Sequence, residues 1–210
     1  MNLYFAPLAC SLATRIAFYE AGKDIHYTQV DLKAKRLADG TNYFRINPMG
    51  QVPALRTDDR KMLTENSAVL QFVGGLFPES GLVPADEIGR IQLARWLGFI
   101  STELHKTIFA PIFDGKAPED VKAYARGKAP QRLDVLQNHL AGHEFLLDHF
   151  TVADAYLVTV LNWAASSNID LREWPAVNEY HGRLLQRPSI AQAVREERQL
   201  YEQEQRAVSS

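Results

Sequence analysis

The first third of the chain alternates short runs of strand-forming residues with a segment of helical spacing. Residues 2–5 predict a strand, and the apolar positions that follow between Ser11 and Gly22 repeat at helical spacing. Gly22 stands where a helix commonly ends. A second strand is predicted at residues 27–31. The order of elements in this part of the chain is therefore strand, helix, strand.

The next segment predicts a hairpin followed by a helix. Residues 52–65 read as two strands that are joined at a short polar turn, Asp58–Arg60, and a helix is predicted over residues 66–76. A βαβ unit followed by a ββα unit is buried most simply as a mixed sheet with helices on both faces. We therefore predict an α/β N-terminal domain of residues 1–80.

The remainder of the chain has the periodicity of helices. Residues 77–87 contain two prolines and a glycine, and they read as a linker. The amphipathic runs beyond it lie at about 87–110, 118–141, 152–167, 175–187 and 189–204. We therefore predict a second domain, residues 87–204, that is an all-helical bundle.

The first long helix of this bundle carries two neighbouring stripes. Its apolar stripe consists of Leu93, Leu97, Ile100, Leu104 and Ile108. Its second stripe, of small and polar residues, consists of Gly98, Thr102, His105 and Lys106. The second stripe is either solvent-facing surface or the wall of a cleft in which His105 donates a hydrogen bond to a thiolate.

Composition and charge exclude several classes of protein. A hydrophobic content of 46% with 23% charged residues is ordinary for a globular protein. The formal net charge of -2 provides no positive field for a nucleic acid. Apolar runs are far shorter than the roughly 20 residues that cross a bilayer, and the first residues do not resemble a signal peptide. We expect a cytoplasmic protein without nucleic-acid or membrane partners.

The single cysteine, Cys10, lies where the first strand leads into the first helix. Helix N–H groups favour a thiolate at this position, whether that of Cys10 or of a ligand, although a small buried cysteine is the alternative. No second cysteine is available to resolve a disulfide, since the residue three positions on is Ala13. The six histidines lack metal-ligand spacing, so we expect no metal.

Two further motifs each allow a structural and a functional interpretation. If the Val52–Pro53 bond is cis, the backbone of Val52 can pair with a peptide-like ligand, whereas a trans proline at a strand edge is the alternative. At the start of the predicted helix after Thr64, free N–H groups can bind an anion and Glu65 can bind an ammonium group. The alternative there is an ordinary N-cap formed by Asn66 or Ser67.

A third motif has the pattern of a helix start. Phe150 precedes Thr151, and Asp154 follows three positions later, which predicts a capping box with a hydrophobic residue before the cap. We interpret this motif as part of the folding of the chain and not of its chemistry.

Five motifs in this order resemble the beta-class glutathione transferases. They are ACS at 9–11, NPMGQVPAL at 47–55, TENSAVLQF at 64–72, TELHK at 102–106 and FTVADAYL at 150–157. The resemblance covers nearly the whole chain. It implies a thioredoxin-like N-terminal domain, a helical C-terminal domain and a homodimer.

The resemblance also implies which residues bind glutathione, the expected co-substrate. Val52 would pair through its backbone with the cysteinyl part, Glu65 and Asn66 would hold the γ-glutamyl end, and Lys35 would hold the glycyl carboxylate. Cys10 and His105 would face the sulfur as the catalytic pair. The full set expected to bind glutathione is Lys35, Gln51, Val52, Pro53, Glu65, Asn66, Thr102, Glu103 and Lys106.

Two positions depart from the family pattern, and the pocket for the second substrate is less specific. Asn66 stands where Ser or Gly is common, and Gly98 replaces a frequent Asn, so we expect weaker or altered glutathione binding. Apolar residues that could form the pocket for the electrophile are Phe5, Leu8, Phe109, Ile112, Phe113 and Trp163. Aromatic residues at these spacings are also typical of a core.

The resemblance makes conjugation of glutathione to small apolar electrophiles, a detoxification reaction, the leading expectation. One alternative is thiol–disulfide exchange or reductive dehalogenation through Cys10. Another is a non-catalytic regulator that uses the same fold, although the retained Cys10 and His105 speak against it.

Overall fold

A computed structural model describes residues 1–209, and this part of the chain forms two compact units. The first unit comprises Met1–Leu82 together with the C-terminal segment that begins at Pro188, and the second comprises Val83–Arg187. No helix among the described residues is both long enough and apolar enough to cross a membrane.

The first unit is built on a five-stranded mixed sheet. Its strands are β1 (Asn2–Phe5), β2 (His26–Asp31), β3 (Arg36–Leu37), β4 (Ala54–Arg56) and β5 (Met62–Leu63). They lie in the order β3-β2-β1-β4-β5, with β1 parallel to β2 and every other pair antiparallel. All four residues of β1 are buried because the strand is central, and its Leu3 lies opposite Tyr27 on one side and Leu55 on the other. The predicted mixed sheet is confirmed, and β3 is an addition that the sequence pattern did not indicate.

Three helices accompany this sheet: α1 (Leu12–Glu20), α2 (Asn66–Leu76) and α9 (Pro188–Ser209). Both α2 and α9 pack against α1. The sequence pattern had placed α9 with the helical domain of residues 87–204. Its buried positions Ile190, Ala193 and Glu197 instead face α1, where Glu197 forms an ion pair with Arg15.

The second unit is helical. Its elements are α3 (Glu87–Phe99), a π-helical segment (Ile100–Phe109), α4 (Ala110–Phe113), α5 (Glu119–Gly127), α6 (Ala129–Leu140), α7 (Val152–Leu161) and α8 (Pro175–Leu185). The run predicted at 118–141 is divided between α5 and α6, where Gly127 ends one helix and Pro130 lies in the first turn of the next. The predicted apolar stripe from Leu93 to Ile108 is confirmed, since each of its members is at most 1% exposed.

Helix α7 lies at the centre of this unit, because all ten of its residues are buried. The predicted capping box is present at its start: the Thr151 N–H and hydroxyl both donate to the Asp154 carboxylate, at 2.8 and 3.0 Å. Tyr180 of α8 donates its hydroxyl to the same carboxylate at 2.8 Å. Buried charge without such partners would be costly, so this cluster fixes where α7 begins.

Candidate active site

In the first unit, the structure brings Cys10 together with the Val52–Pro53 motif. The Cys10 thiol donates to the Val52 carbonyl oxygen at 3.1 Å, and the side chain is buried. The loop that carries Cys10 is closed by Ser11, whose side chain bonds to both backbone groups of Ala6.

The Val52–Pro53 peptide bond is cis, as the resemblance implies. The preceding loop is fixed at the Gln51 carbonyl, which accepts hydrogen bonds from the Tyr43 hydroxyl at 2.9 Å and from the Asn47 amide at 2.7 Å. Within residues 1–209 the Val52 N–H donates to no protein acceptor. Val52 as a residue is 7% exposed, and backbone donors of buried residues are rarely without a partner in folded proteins. This N–H is therefore suited to pair with a ligand.

Glu65 and Asn66 adopt an unusual arrangement at the start of α2. Glu65 has φ +65°, a left-handed conformation that is uncommon for a residue with a long side chain, and it makes no side-chain cap. Asn66 is 7% exposed; its Oδ1 accepts from the Thr14 hydroxyl at 3.2 Å, whereas its buried Nδ2 has no partner in the described part of the chain. The ordinary N-cap formed by Asn66 or Ser67 is therefore not observed.

Lys35 lies beside the same loop as Val52. Its ammonium group donates to the Gly50 carbonyl at 2.7 Å, and its backbone has φ +54°. Gly50 itself has φ +61°, and a Cβ there would lie 2.6 Å from the ring of Phe44, so this turn requires glycine. The first unit thus places Lys35 against Gly50 and Cys10 against Val52, at the two ends of the loop segment that includes Gln51.

In the second unit, the predicted polar stripe lies on the π-helical segment Ile100–Phe109. The helical run predicted at 87–110 is present, and these ten residues have π-helical hydrogen bonding. The segment ends with the Ala110 N–H bonded to the His105 carbonyl, five positions back. Its Thr102 and Lys106 side chains are exposed. π-Helical turns are rare and often occur at functional sites.

Glu103 has a structural partner within this unit. Arg132 donates to one of its carboxylate oxygens from Nε at 3.1 Å and from Nη2 at 2.8 Å. This paired guanidinium contact joins the π-helical segment to α6. Glu103 therefore contributes to the packing of the helical unit, and its predicted role in glutathione binding stays a prediction.

His105 is held between a hydroxyl and an aromatic ring. Its Nδ1 lies 2.7 Å from the Tyr156 hydroxyl, and its ring meets that of Trp163 edge to face, with centroids 5.0 Å apart. Burial, together with the positive charge of Lys106, lowers the pKa of His105 to about 4. The imidazole is therefore neutral near pH 7.

Three of the predicted electrophile residues form a cluster with His105. The rings of Phe109 and Phe113 stack with centroids 6.4 Å apart, and both meet Trp163 edge to face. Phe109 is buried, but Phe113 is 49% exposed, so the cluster presents an aromatic surface to solvent. Ile112 is half-buried on the same short helix, α4.

The other two predicted electrophile residues belong to the first unit and serve its packing. Phe5 is 3% exposed, with the Arg15 guanidinium 4.5 Å above its ring and Tyr27 at its edge. Its side chain therefore offers little open surface, and a place for Phe5 in the electrophile pocket stays a prediction. Leu8 is half-buried with φ +58°, and its N–H donates to Glu197 at 2.7 Å.

Two family models match the chain. The model for the glutathione S-transferase N-terminal domain matches residues 9–75, and the model for the C-terminal domain matches residues 99–188. The glutathione S-transferase GstA of Escherichia coli O157:H7 is 39% identical over 196 residues, covering 92% of this chain and 97% of that relative. The chain belongs to the glutathione S-transferase family.

Solved structures of other glutathione S-transferases have the same fold. A sphingomonad glutathione S-transferase complexed with glutathione is 38% identical, with a TM-score of 0.90 over 94% of this chain and 98% of that one. The bacterial beta class glutathione S-transferase of Sphingomonas chungbukensis is 36% identical, with the same TM-score and coverage. The predicted thioredoxin-like fold, helical C-terminal domain and beta-class resemblance are confirmed.

Two polar contacts of this glutathione S-transferase were not anticipated from the sequence. The buried Glu197 accepts from Arg15 Nε at 2.9 Å as well as from the Leu8 N–H, so α9 holds the loop that leads to Cys10. The sequence did contain a signal for the burial of Glu197, because this charged residue continues the helical spacing of Ile190 and Ala193. Nothing in the sequence indicated the contact between Tyr156 and His105, because Tyr156 is one of many buried residues on α7.

Proposed function

We propose that this glutathione transferase joins the thiol of glutathione to small apolar electrophiles, and that glutathione lies along Val52. The observation that carries the proposal is the backbone of Val52. Its N–H has no protein acceptor in residues 1–209, and its carbonyl lies 3.1 Å from the Cys10 sulfur. An extended peptide that pairs with this residue brings its own central residue, the cysteine of glutathione, next to Cys10.

Each end of glutathione has a chemically matched group in the first unit. The γ-glutamyl carboxylate suits the open N-terminus of α2 and the unpaired Nδ2 of Asn66, whereas its ammonium suits the carboxylate of Glu65. The glycyl carboxylate suits Lys35, whose ammonium already lies against the loop of Gln51. Pro53 contributes through the cis bond that orients Val52. The exposed Thr102 and Lys106 remain proposed contacts.

We assign Cys10 and His105 to the sulfur of glutathione. His105 can donate through a ring N–H. Cys10 can donate its S–H to the sulfur once the Val52 carbonyl accepts from the cysteinyl N–H of glutathione in place of that S–H. Both bonds stabilise a thiolate more than a thiol. A free thiol with a pKa of ~8.5 is about 3% ionised at pH 7, so full ionisation raises the reactive fraction by roughly 30-fold at most. The lower nucleophilicity of a more acidic thiol offsets part of this gain. Most of the acceleration therefore comes from holding the electrophile against the sulfur.

The aromatic cluster around Trp163 suits the electrophile. Its partly exposed Phe113 and the adjacent Ile112 offer apolar contact to a substrate. We therefore propose that the aromatic cluster favours small apolar electrophiles such as haloaromatic compounds and epoxides.

We also propose the surroundings in which the enzyme acts. A homodimer and a detoxification role follow from the beta-class resemblance. A cytoplasmic location is consistent with a chain whose single thiol must stay reduced. Glutathione and the electrophile are the two substrates, and attack by a thiolate requires no metal ion.

The test is conjugation of glutathione across a panel of haloaromatic compounds, epoxides and disulfides, with glutathione affinity measured separately by calorimetry. We expect binding of glutathione and turnover of at least one apolar electrophile. Binding without any turnover would support the non-catalytic alternative, and turnover of disulfides alone would support thiol–disulfide exchange through Cys10.

A further inference from the structure

The hydrogen bond between Tyr156 and His105 joins a fully buried hydroxyl to a proposed catalytic ring. Tyr156 is 1% exposed and lies on α7, the central helix of the second unit, whose start is fixed by the capping box of Thr151 and Asp154. Its hydroxyl lies 2.7 Å from Nδ1 of His105. Helix α7 therefore fixes the position of Nδ1 of His105 through the Tyr156 hydroxyl.

We propose that Tyr156 is a positioning residue that donates its hydroxyl proton to Nδ1 of His105, so that the imidazole carries its own proton on Nε2. This proposal deepens the proposed function and rests on it, because it specifies what His105 offers to the sulfur of glutathione.

The direction of this bond follows from the chemistry of the two groups. The half-buried ring of His105 lies against the rings of Tyr156 and Trp163, and a neutral imidazole has one N–H donor and one acceptor nitrogen. A phenol is the more acidic partner, whereas an imidazole nitrogen is the more basic one. The stable arrangement is therefore O–H from Tyr156 to an unprotonated Nδ1. The remaining proton of the ring then belongs to Nε2.

The other nitrogen is available to a ligand. Nε2 of His105 makes no hydrogen bond within the described residues, and it is not among their buried unpaired atoms, so it is accessible. Trp163 packs against the ring and restricts its rotation, with centroids 5.0 Å apart. Tyr156 holds Nδ1 in place, and the Nε2–H on the opposite side of the ring remains accessible to a ligand.

This tautomer gives His105 a defined role in the reaction. Nε2–H donates to the thiolate, but it has no lone pair with which to remove the proton of the glutathione thiol. That proton passes to solvent, and the thiolate that remains is stabilised by the N–H. His105 is thus a donor that does not act as a general base.

The first arm of the test measures the tautomer directly. Protein labelled with ¹⁵N in its histidines is studied at neutral pH by long-range proton–nitrogen correlation, and His105→Gln identifies the signals of His105. We expect the pattern of the Nε2–H form in the native chain. A native ring that carries its proton on Nδ1 would overturn the proposal. This experiment uses only the native chain, so it determines the tautomer of His105 even if a Tyr156 variant does not fold.

The second arm uses Tyr156→Phe, with Tyr180→Phe as the matched control. Tyr180 also donates a buried hydroxyl in the same unit, but to Asp154 and not to His105. We expect Tyr156→Phe to give a mixture of tautomers and to lower kcat about threefold to tenfold, the kinetic equivalent of one hydrogen bond, while KM for glutathione stays within twofold. Tyr180→Phe should lower stability and leave the tautomer unchanged.

Unchanged tautomer and unchanged kcat in Tyr156→Phe would overturn the proposal, as would an equal change of tautomer in Tyr180→Phe. Failure of the proposed role of Tyr156 is distinguishable from failure of the proposed function. A native enzyme that conjugates no electrophile would refute the proposed function, while the nitrogen signals of His105 would still show whether Tyr156 sets the tautomer.

Discussion

The Cys10 sulfur lies 3.1 Å from the carbonyl oxygen of Val52. This contact joins two motifs that are 42 residues apart in the sequence, and it places a thiol next to a backbone with an unpaired N–H. A peptide that pairs with Val52 must come close to this sulfur.

Replacing Cys10 by Ala should lower the rate of conjugation without abolishing glutathione binding. Cys10 contributes one hydrogen bond to the thiolate, whereas the peptide contacts come from Val52 and the residues around it. We expect kcat to fall about threefold to tenfold, since one hydrogen bond contributes about 0.5–1.5 kcal/mol. Steady-state kinetics together with calorimetry measures both parts, and loss of glutathione binding would refute this division of roles.

Cys10 should also form a mixed disulfide with glutathione. Oxidised glutathione would transfer one glutathionyl group to the Cys10 sulfur and release one molecule of reduced glutathione. The adduct should persist because Cys10 is the only cysteine in the chain. Intact-mass measurement after exposure to oxidised glutathione should show a single adduct, and Cys10→Ser serves as the control. An unmodified native protein would indicate that the sulfur is inaccessible.

Asn66→Asp should weaken glutathione binding strongly. The change removes the unpaired Nδ2 donor and adds a negative charge beside the proposed γ-glutamyl carboxylate. Hydrogen bonds to charged groups contribute about 1.5–3 kcal/mol, so the Kd should rise about 10- to 150-fold. The exposed Asn178 provides the control, because Asn178→Asp adds the same charge elsewhere. Equal affinities for glutathione in both variants would place the carboxylate away from Asn66.

His105 should make the enzyme less stable in acid. Burial lowers its pKa to about 4, below the ordinary value of 6.5, so the unfolded chain binds the proton more readily. The contribution of neutral His105 is complete above pH 6.5 and falls as the pH decreases toward about 4. Urea unfolding of the native chain and of His105→Gln should show the larger loss between pH 7 and pH 5 for the native chain. Parallel losses would argue against a buried neutral ring.

Glu197 should be essential to the position of α9. Glu197→Ala removes a buried carboxylate that accepts from Arg15 Nε at 2.9 Å, although Glu196, 3.3 Å from Arg15 Nη1, still compensates part of the charge. The loss of a hydrogen bond to a charged group costs about 1.5–3 kcal/mol. Glu197→Ala should therefore lower the free energy of unfolding by about this amount, whereas the double variant Arg15→Met with Glu197→Leu should recover part of it. Activity should also fall in the single variant, because Leu8 in the loop before Cys10 loses its acceptor. A loss below about 1 kcal/mol in the Glu197→Ala unfolding curve would contradict this role.

Local periodicity was sufficient to predict most elements. The alternation along residues 1–80 predicted the mixed sheet, and the spacing of Thr151 and Asp154 predicted the capping box of α7. Such features depend on neighbours in the sequence, and a pattern of a few residues is enough to specify them. Strand β3 has only two residues, too few to form a pattern.

The features that the sequence did not predict depend on distant partners. Phe5 and Trp163 are both large apolar residues, and only the fold shows that the first is covered by Arg15 while the second meets His105. An amphipathic pattern indicated α9, but it did not indicate that its buried face meets α1. The π-helical segment keeps nearly the same apolar spacing as an α-helix, so its different hydrogen bonding leaves no mark in the pattern.

The most direct test of the account is a crystal structure of the protein grown with reduced glutathione. We predict glutathione extended along Val52, with the Val52 N–H donating to the cysteinyl carbonyl, the γ-glutamyl carboxylate within hydrogen-bond distance of Asn66 Nδ2, and the sulfur close to Cys10. Glutathione bound elsewhere, or no glutathione at a concentration that supports turnover, would contradict it.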